Sequence, residues 1–270
     1  MLAAALNAAY TCAARWRGAA RERPFRASGP RVVYRGADPG GDELLHLYTV
    51  TFGNPSVVGH QIRLLRKYLL DDYHLTVVDN SPDECSRLEI ESLCRGEGTA
   101  YVGLPPNPFP VGSRSHGAAL NWVWYNVVEP SGRRFTGFLD HDIYPRRPTA
   151  LAPLLESSGV LGVRQVRGRT WYLWPGWCFF DRARLGFPRL DFMPEPGLDT
   201  GGGNWRIVFR HLAPEAVPPQ EHRYERFYGP DGQTSAVFEV IGDWVHSGRA
   251  SGWDEEATSR QGLPGFLDAL

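Results

Sequence analysis

The rhythm of hydrophobic and polar positions changes along this chain in a regular order. From Glu43 the run ELLHLYTVTFG is rich in β-branched and aromatic residues and stops at Gly53, which predicts a strand. SVVGHQIRLLRKYL follows, with Val58, Ile62, Leu65 and Leu69 at helical spacing. YHLTVVDNSP predicts a second strand that ends on Asp79. DECSRLEIESLCRG predicts a helix with acids in its first turn and a glycine at its end. GTAYVGLP, SHGAALNWVWYNVV and RRFTGFLDHD then predict a third strand, a third helix and a fourth strand. This β-α-β-α-β-α-β order predicts a parallel sheet with helices on both faces. Ligands of such sheets bind beyond the carboxyl ends of the strands. Polar groups close three of these strands: Thr51 and Asn54, then Asp79-Asn80-Ser81, then Asp140 and Asp142. A site at that edge is the main inference from pattern.

The second half has a different texture. TALAPLLESS predicts a short helix, and GVLGVRQVR and TWYLWPGWCFFDR predict antiparallel strands. A Gly/Pro-rich loop, FMPEPGLDTGGGNW, leads into WRIVFRHL, which predicts a helix. SAVFEVIGDWVHSG predicts a late strand or hairpin that ends on His246. At the other end, residues 1–43 are expected to form an appended N-terminal helix and a Gly/Pro-rich linker, and residues 254–270 a polar tail.

Composition narrows the class. The chain has 270 residues, 42% hydrophobic and 22% charged, as soluble globular proteins do. A net charge of −1 gives no reason to expect a nucleic-acid partner. No run of about 18 apolar residues is present to cross a membrane. The arginines of the N-terminal segment follow its apolar stretch, the reverse of a secretory signal. A cytoplasmic location is expected, with peripheral membrane contact open to the Arg face of that helix. The four cysteines lack metal-ligand spacing and are expected to be free thiols, mostly buried.

The candidate chemistry is acidic. No GxGxxG loop follows the first strand, and neither GxxxxGK[ST] nor GxSxG occurs. In GFLDHDIYP, strand alternation points Asp140 and Asp142 the same way and His141 the other. Two carboxylates on one side need something positive between them. Mg²⁺ and Mn²⁺ suit hard oxygen ligands and take one or two carboxylates together with substrate phosphates. Asp79 can accept hydrogen bonds from a base or ribose, or simply open a turn. Arg114, Arg164, Arg167 and Arg169 are candidates for diphosphate contact through the guanidinium fork, against the default of a solvated surface. His116 is another candidate, from a helix N-terminus. Trp171, Trp174 and Trp177 are either core aromatics or a sugar-stacking wall, with Trp174 and Trp177 the candidates for acceptor binding.

With TVTFGNP, VVDNSPDE, SHGAALNWVWYNV and FLDHDIYP in this order, the sequence resembles a nucleotide-sugar glycosyltransferase of the GT-A fold, nearest to the family 2 type. The resemblance covers about residues 45–250. It implies an α/β, Rossmann-like, mostly parallel sheet flanked by helices, with a smaller antiparallel sheet on the acceptor side. It implies one domain over 44–253, with a nucleotide-binding half (44–145) and an acceptor-binding half (146–253). Asp79 would contact the nucleotide. Asp140 would lie nearer the ribose and Asp142 would be the main ligand of Mn²⁺ or Mg²⁺. His246 matches the late histidine that many such enzymes add to the metal, and Gly117 would allow close approach of the sugar nucleotide. The partners implied are a nucleoside-diphosphate sugar and a carbohydrate or lipid-linked acceptor, in an inverting transfer that serves polysaccharide biosynthesis.

Two departures stand out. Ser115 or His116 occupies the place of the family's usual asparagine ahead of Gly117. The family's ED pair is also missing, and GLDTGG stands near its place. Asp199 is the candidate base there and Glu195 the second, while Asp199 or Thr200 could equally cap the following helix. The alternatives are a sugar-1-phosphate nucleotidyltransferase, whose basic Gly-rich first loop TFGNPSVVGHQ lacks, and a catalytically inactive nucleotide-sugar-binding protein.

Overall fold

The computed structural model describes residues 18–37, 44–228, 235–248 and Leu267. The alternation read from the sequence is present. Strands β2 (Leu45–Thr51), β3 (Tyr73–Asp79), β4 (Ala100–Gly103) and β5 (Phe135–Asp140) alternate with helices α2 (Pro55–Tyr68), α3 (Glu84–Gly96) and α4 (Gly112–Val123). The four strands lie parallel in the order β4-β3-β2-β5. The chain thus winds outward in one direction from β2 and returns to its other side at β5. That reversal opens a crevice between the carboxyl ends of β2 and β5.

Local chemistry sets the helix ends. Asn54 caps α2, accepting from the Val57 N–H at 3.2 Å, with Pro55 at the first turn. Asp83 caps α3 by accepting from the Ser86 N–H at 2.8 Å. Helices cover both faces of the sheet. Val58, Ile62 and Leu65 of α2 and Ile90 and Cys94 of α3 pack on Leu45, Leu47, Val77 and Leu139. Ala118, Ala119, Trp122 and Val123 of α4 pack on Tyr48, Val50, Val78 and Phe138. Each buried Val, Ile or Leu contributes roughly 1.5–3 kcal/mol.

Strands β7 (Val160–Arg167) and β8 (Thr170–Asp181) extend the main sheet antiparallel beyond β5, after the short helix α6 (Ala152–Ser158). A second, four-stranded antiparallel sheet has the order β6-β11-β10-β9. It joins β6 (Ile143–Pro145), β9 (His222–Tyr228), β10 (Ser235–Ile241) and β11 (Trp244–His246). A seven-stranded, mostly parallel sheet beside a small antiparallel one is the arrangement that the GT-A resemblance implies.

Several elements differ from expectation. The connection expected after residue 27 contains β1 (Val32–Tyr34), which pairs antiparallel with β4 at the sheet edge. The expected N-terminal helix is present over residues 18–27, α1, and packs on the main core. Its Phe25 is buried there, and its Glu22 accepts from Asn121 of α4 at 3.1 Å. The helix expected from α4 onward continues through a π-turn, Trp124–Val128, into a last turn, α5 (Glu129–Ser131), closed by Gly132 at φ 65°. WRIVFRHL forms only α7 (Asn204–Ile207) and a 3-10 turn, Phe209–His211, because Val208 leaves helical geometry between them. In the tail, Leu267 is buried beside Val57, Leu64 and Tyr144, and its carbonyl accepts from Arg63 at 2.9 Å. The other tail residues and residues 1–17 lie outside the described set. Cys94 and Cys178 are buried free thiols, and Cys85 is an exposed one. No helix among the described residues is long and apolar enough to cross a membrane.

Candidate active site

A cleft of about 280 Å³ opens at the crevice between β2 and β5. Val50 and Phe52 line it from the end of β2, Asn80 from the end of β3, and Asp140, His141 and Asp142 from the end of β5. Val111, Gly112, Ser113, Ser115 and His116 line it from the start of α4. Trp174, Asp199, Thr200 and His246 complete the lining.

The acidic pair comes together with a histidine. One ligand atom from each of Asp140, Asp142 and His246 lies within 4.8 Å of the others. Strand β5 stops at Asp140, so His141 and Asp142 form a turn rather than the last strand residues expected. The turn still leaves both carboxylates in one cluster. His141 is buried and its Nδ1 lies 3.2 Å from the Val50 carbonyl, which ties the β5 end to the β2 end. Gln61 of α2 donates to the carbonyls of Asp140 and Ile143 at 2.8 and 2.9 Å. Ser247 N–H donates to the Asp142 carbonyl at 3.0 Å, which brings the chain after β11 against the acidic turn.

Burial and close opposite charges set the electrostatics of the cluster. Burial holds the Asp140 carboxyl above the usual range, with His116 opposing this and Asp142 adding to it. His116 Nε2 lies 3.4 Å from Asp140 Oδ1. For His246, burial pulls the pKa down. The charge of Asp142 and hydrogen bonds with Asp142 and Glu239 outweigh burial and push it up to about 10. His246 Nε2 lies 3.4 Å from Asp142 Oδ1, and its Nδ1 lies 2.6 Å from Glu239 Oε2. The Trp174 ring packs on the His246 ring, 4.8 Å between centroids. At Gly176 of β8 an added Cβ would lie 2.6 Å from Asp140 Oδ2 and closer still to the Trp174 ring. Only a glycine lets β8 pass this near the acidic pair.

The remaining candidates divide. Asp199 lines the cleft, and its Oδ1 accepts from the Thr200 N–H at 2.8 Å. The cap position of α7 is Gly203, without a side-chain cap, so the capping role considered for Asp199 is not the one found. Glu195 is drawn into an ion pair with Arg206. Asp79 is fully buried and lies behind the cleft. Its oxygens accept from the Tyr101 hydroxyl at 2.9 Å and the Ser81 N–H at 2.8 Å. Thr51 pairs with Asp79 across the β2-β3 ladder and is equally buried. Asn54 serves as the α2 cap, and Arg114 is exposed on α4 outside the cleft lining. Arg164, Arg167 and Arg169 are exposed and do not line the cleft. At Gly117 an added Cβ would meet the Phe192 carbonyl oxygen at 2.7 Å, so the close approach it permits is to protein backbone. Trp177 is in the core against Phe179 and Trp244, and Trp171 packs on Phe209. Trp174 alone of the three lines the cleft.

Sequence reasoning assigned no role to Glu239, and named Asn80 only as a polar group at a strand end and Thr200 only as a helix cap. Asn80 accepts from Asn107 at 2.9 Å and donates to Ser115 Oγ at 3.0 Å, which fixes the loop before α4. Its signal was its place directly after Asp79 at a strand end. Glu239 had a plainer one, an acid inside the apolar run AVFEVI.

No protein-family model matches the chain, and no curated protein matches it. Among solved structures it is similar to the mannosyltransferase PcManGT from Pyrobaculum calidifontis, in complex with GDP-Man and Mn²⁺. That match is 15% identical over 80% of this chain and 66% of the other, with a TM-score of 0.43. A second match is S. aureus TarS 1–349, 18% identical over 60% of this chain and 53% of the other, TM-score 0.40. A third is the bifunctional glycosyltransferase WbbM in its apo form, 13% identical over 56% and 34%, TM-score 0.38. The chain thus covers from 34% to 66% of these structures' own lengths. The chemistry of the cleft has to come from its own residues.

Proposed function

We propose that the protein is a metal-dependent glycosyltransferase that moves a sugar from a nucleoside-diphosphate sugar to an acceptor hydroxyl with inversion. The observation that carries this is the convergence of Asp140, Asp142 and His246 at the crevice between β2 and β5. The donor set fits a divalent cation such as Mn²⁺ or Mg²⁺: two hard carboxylates and an imidazole whose far nitrogen is already held by a carboxylate. When bound, such a cation supplies Lewis-acid stabilisation to the leaving diphosphate.

The chain's own residues have separate tasks. The first turn of α4 opens on the cleft at Gly112 and Ser113, and Val111 provides no side-chain cap. Its backbone N–H groups are therefore suited to diphosphate oxygens. His116, one turn further on, stands between that turn and Asp140 and can donate to the same oxygens. Asn80 and Asp140 are the polar groups nearest a nucleoside that enters past Phe52. Trp174 offers an aromatic face to a sugar ring. Asp199 lines the cleft from the glycine-rich loop and is the base that takes the acceptor proton. Glu195 is the weaker candidate because Arg206 holds it. The acceptor in this reading is a carbohydrate or a lipid-linked acceptor.

A thermal-shift screen of nucleoside diphosphates with and without Mn²⁺ tests this reading. One nucleotide is expected to raise the melting temperature only with Mn²⁺, and Asp142→Ala should abolish the rise. No response to any nucleotide would sink it. A response without sugar transfer would favour an inactive nucleotide-sugar-binding protein.

A further inference from the structure

Behind the three candidate ligands stands the carboxylate that holds the far nitrogen of His246. Glu239 lies on β10 directly opposite His246 on β11, with Tyr224 of β9 opposite it on the other side. Its side chain is 21% exposed and holds two imidazoles. One oxygen contacts His246 Nδ1 at 2.6 Å, and the other contacts His222 Nε2.

An ionised carboxylate can only accept, so the His246 nitrogen that faces it must carry a proton. A neutral His246 then has its lone pair on Nε2. That is the nitrogen directed at Asp142, 3.4 Å from Oδ1. The opposite tautomer would set a lone pair against the carboxylate of Glu239. Trp174 restrains the ring from the cleft side, so its plane is held by two neighbours. His222 in turn occupies the second oxygen of Glu239, which limits the rotation of that carboxylate.

We propose that Glu239 is a positioning residue for the cation site: it fixes the tautomer and orientation of His246 so that Nε2 faces the ion. The proposal rests on the reading of Asp140, Asp142 and His246 as metal ligands. A contact that merely joined β10 to β11 would affect melting and leave metal affinity unchanged.

Mn²⁺ binding to the full chain, read by the electron paramagnetic resonance of free Mn²⁺, separates these cases. Glu239→Ala is expected to weaken Mn²⁺ binding by about 10- to 100-fold, the range for outer-shell partners. Glu239→Gln keeps an acceptor oxygen and should recover most of the affinity. Glu239→Ala combined with His246→Ala should bind no more weakly than His246→Ala alone, since Glu239 acts through that ring. Wild-type affinity in Glu239→Ala, or an equal further loss in the double variant, overturns the proposal. A wild type that binds no Mn²⁺ overturns the underlying metal reading and takes the proposal with it. If Glu239→Ala does not fold, ¹⁵N chemical shifts of the wild-type His246 ring with diamagnetic Zn²⁺ bound decide instead. A proton on Nδ1 is expected, and a proton on Nε2 contradicts it.

Discussion

The two walls of the cleft are built in different ways. One is the ends of β2 and β5, central strands buried almost throughout and clamped between helices. The other carries His246 on β11, a three-residue strand held between β6 and β10, and Asp199 and Thr200 on a glycine-rich loop. The first wall delivers its carboxylates at positions that strand packing dictates. The second delivers the groups that would complete a site, through contacts between chain segments far apart in sequence. Damage to the first should remove binding outright, and damage to the second should weaken or misdirect it.

The largest effect is expected on the rigid wall. Asp142→Ala should abolish Mn²⁺-dependent stabilisation by nucleoside diphosphates, measured by thermal shift, while the metal-free protein remains folded. Asp199→Asn tests the second wall. It should lower the transfer rate by about 10²- to 10⁴-fold, the usual worth of a general base, with Mn²⁺ and nucleotide binding unchanged in calorimetry. An equal loss of binding would remove Asp199 from the role of base.

Gly176→Ala probes the seam between the walls. Its Cβ would displace Asp140 and the Trp174 ring. A shift of about 1 Å at the reacting groups can cost around 10²-fold, so the rate should fall to that extent with a smaller loss of nucleotide affinity.

A pH effect follows from His246. Its pKa is pushed up to about 10 in the folded chain, against the ordinary 6.5. The stabilisation that protonated His246 gives the metal-free protein is complete below pH 6.5 and is lost as pH rises through about 10. Metal-free wild type should therefore lose melting temperature relative to His246→Gln over that window. Mn²⁺ affinity should rise over the same window, because the ion needs the neutral ring. The smallest effect is expected at His222→Ala, which removes a support of Glu239 and should cost less than about tenfold in Mn²⁺ affinity.

The contrast between the walls also explains what the sequence made legible. The alternation from β2 to β5 is local, since every strand and helix there has its own hydrophobic period and its own cap. Asp140 and Asp142 stood out because they close an apolar run, whereas the role of His246, also at a strand end, was implied by the family resemblance. Asp79 has the same signature; its bond from the Ser81 N–H is the local turn that VVDNS allows, but its second partner, the Tyr101 hydroxyl, comes from side-chain packing that no spacing encodes. Trp171, Trp174 and Trp177 recur at one interval, but Trp177 and Trp171 face the cores while Trp174 meets His246. β9, with its polar alternation HRYERFY, was not recognised because its pairing with β10 is set by tertiary register. Glu239 meets His246 through the register of β10 with β11.

The most direct measurement is anomalous diffraction at the manganese edge from crystals grown with Mn²⁺ and the nucleoside diphosphate that scores in the thermal-shift screen. The account predicts one strong peak bounded by Asp140, Asp142 and His246, next to the diphosphate and the start of α4. A well-occupied nucleotide with no peak among those three residues, or with manganese held elsewhere, would contradict it.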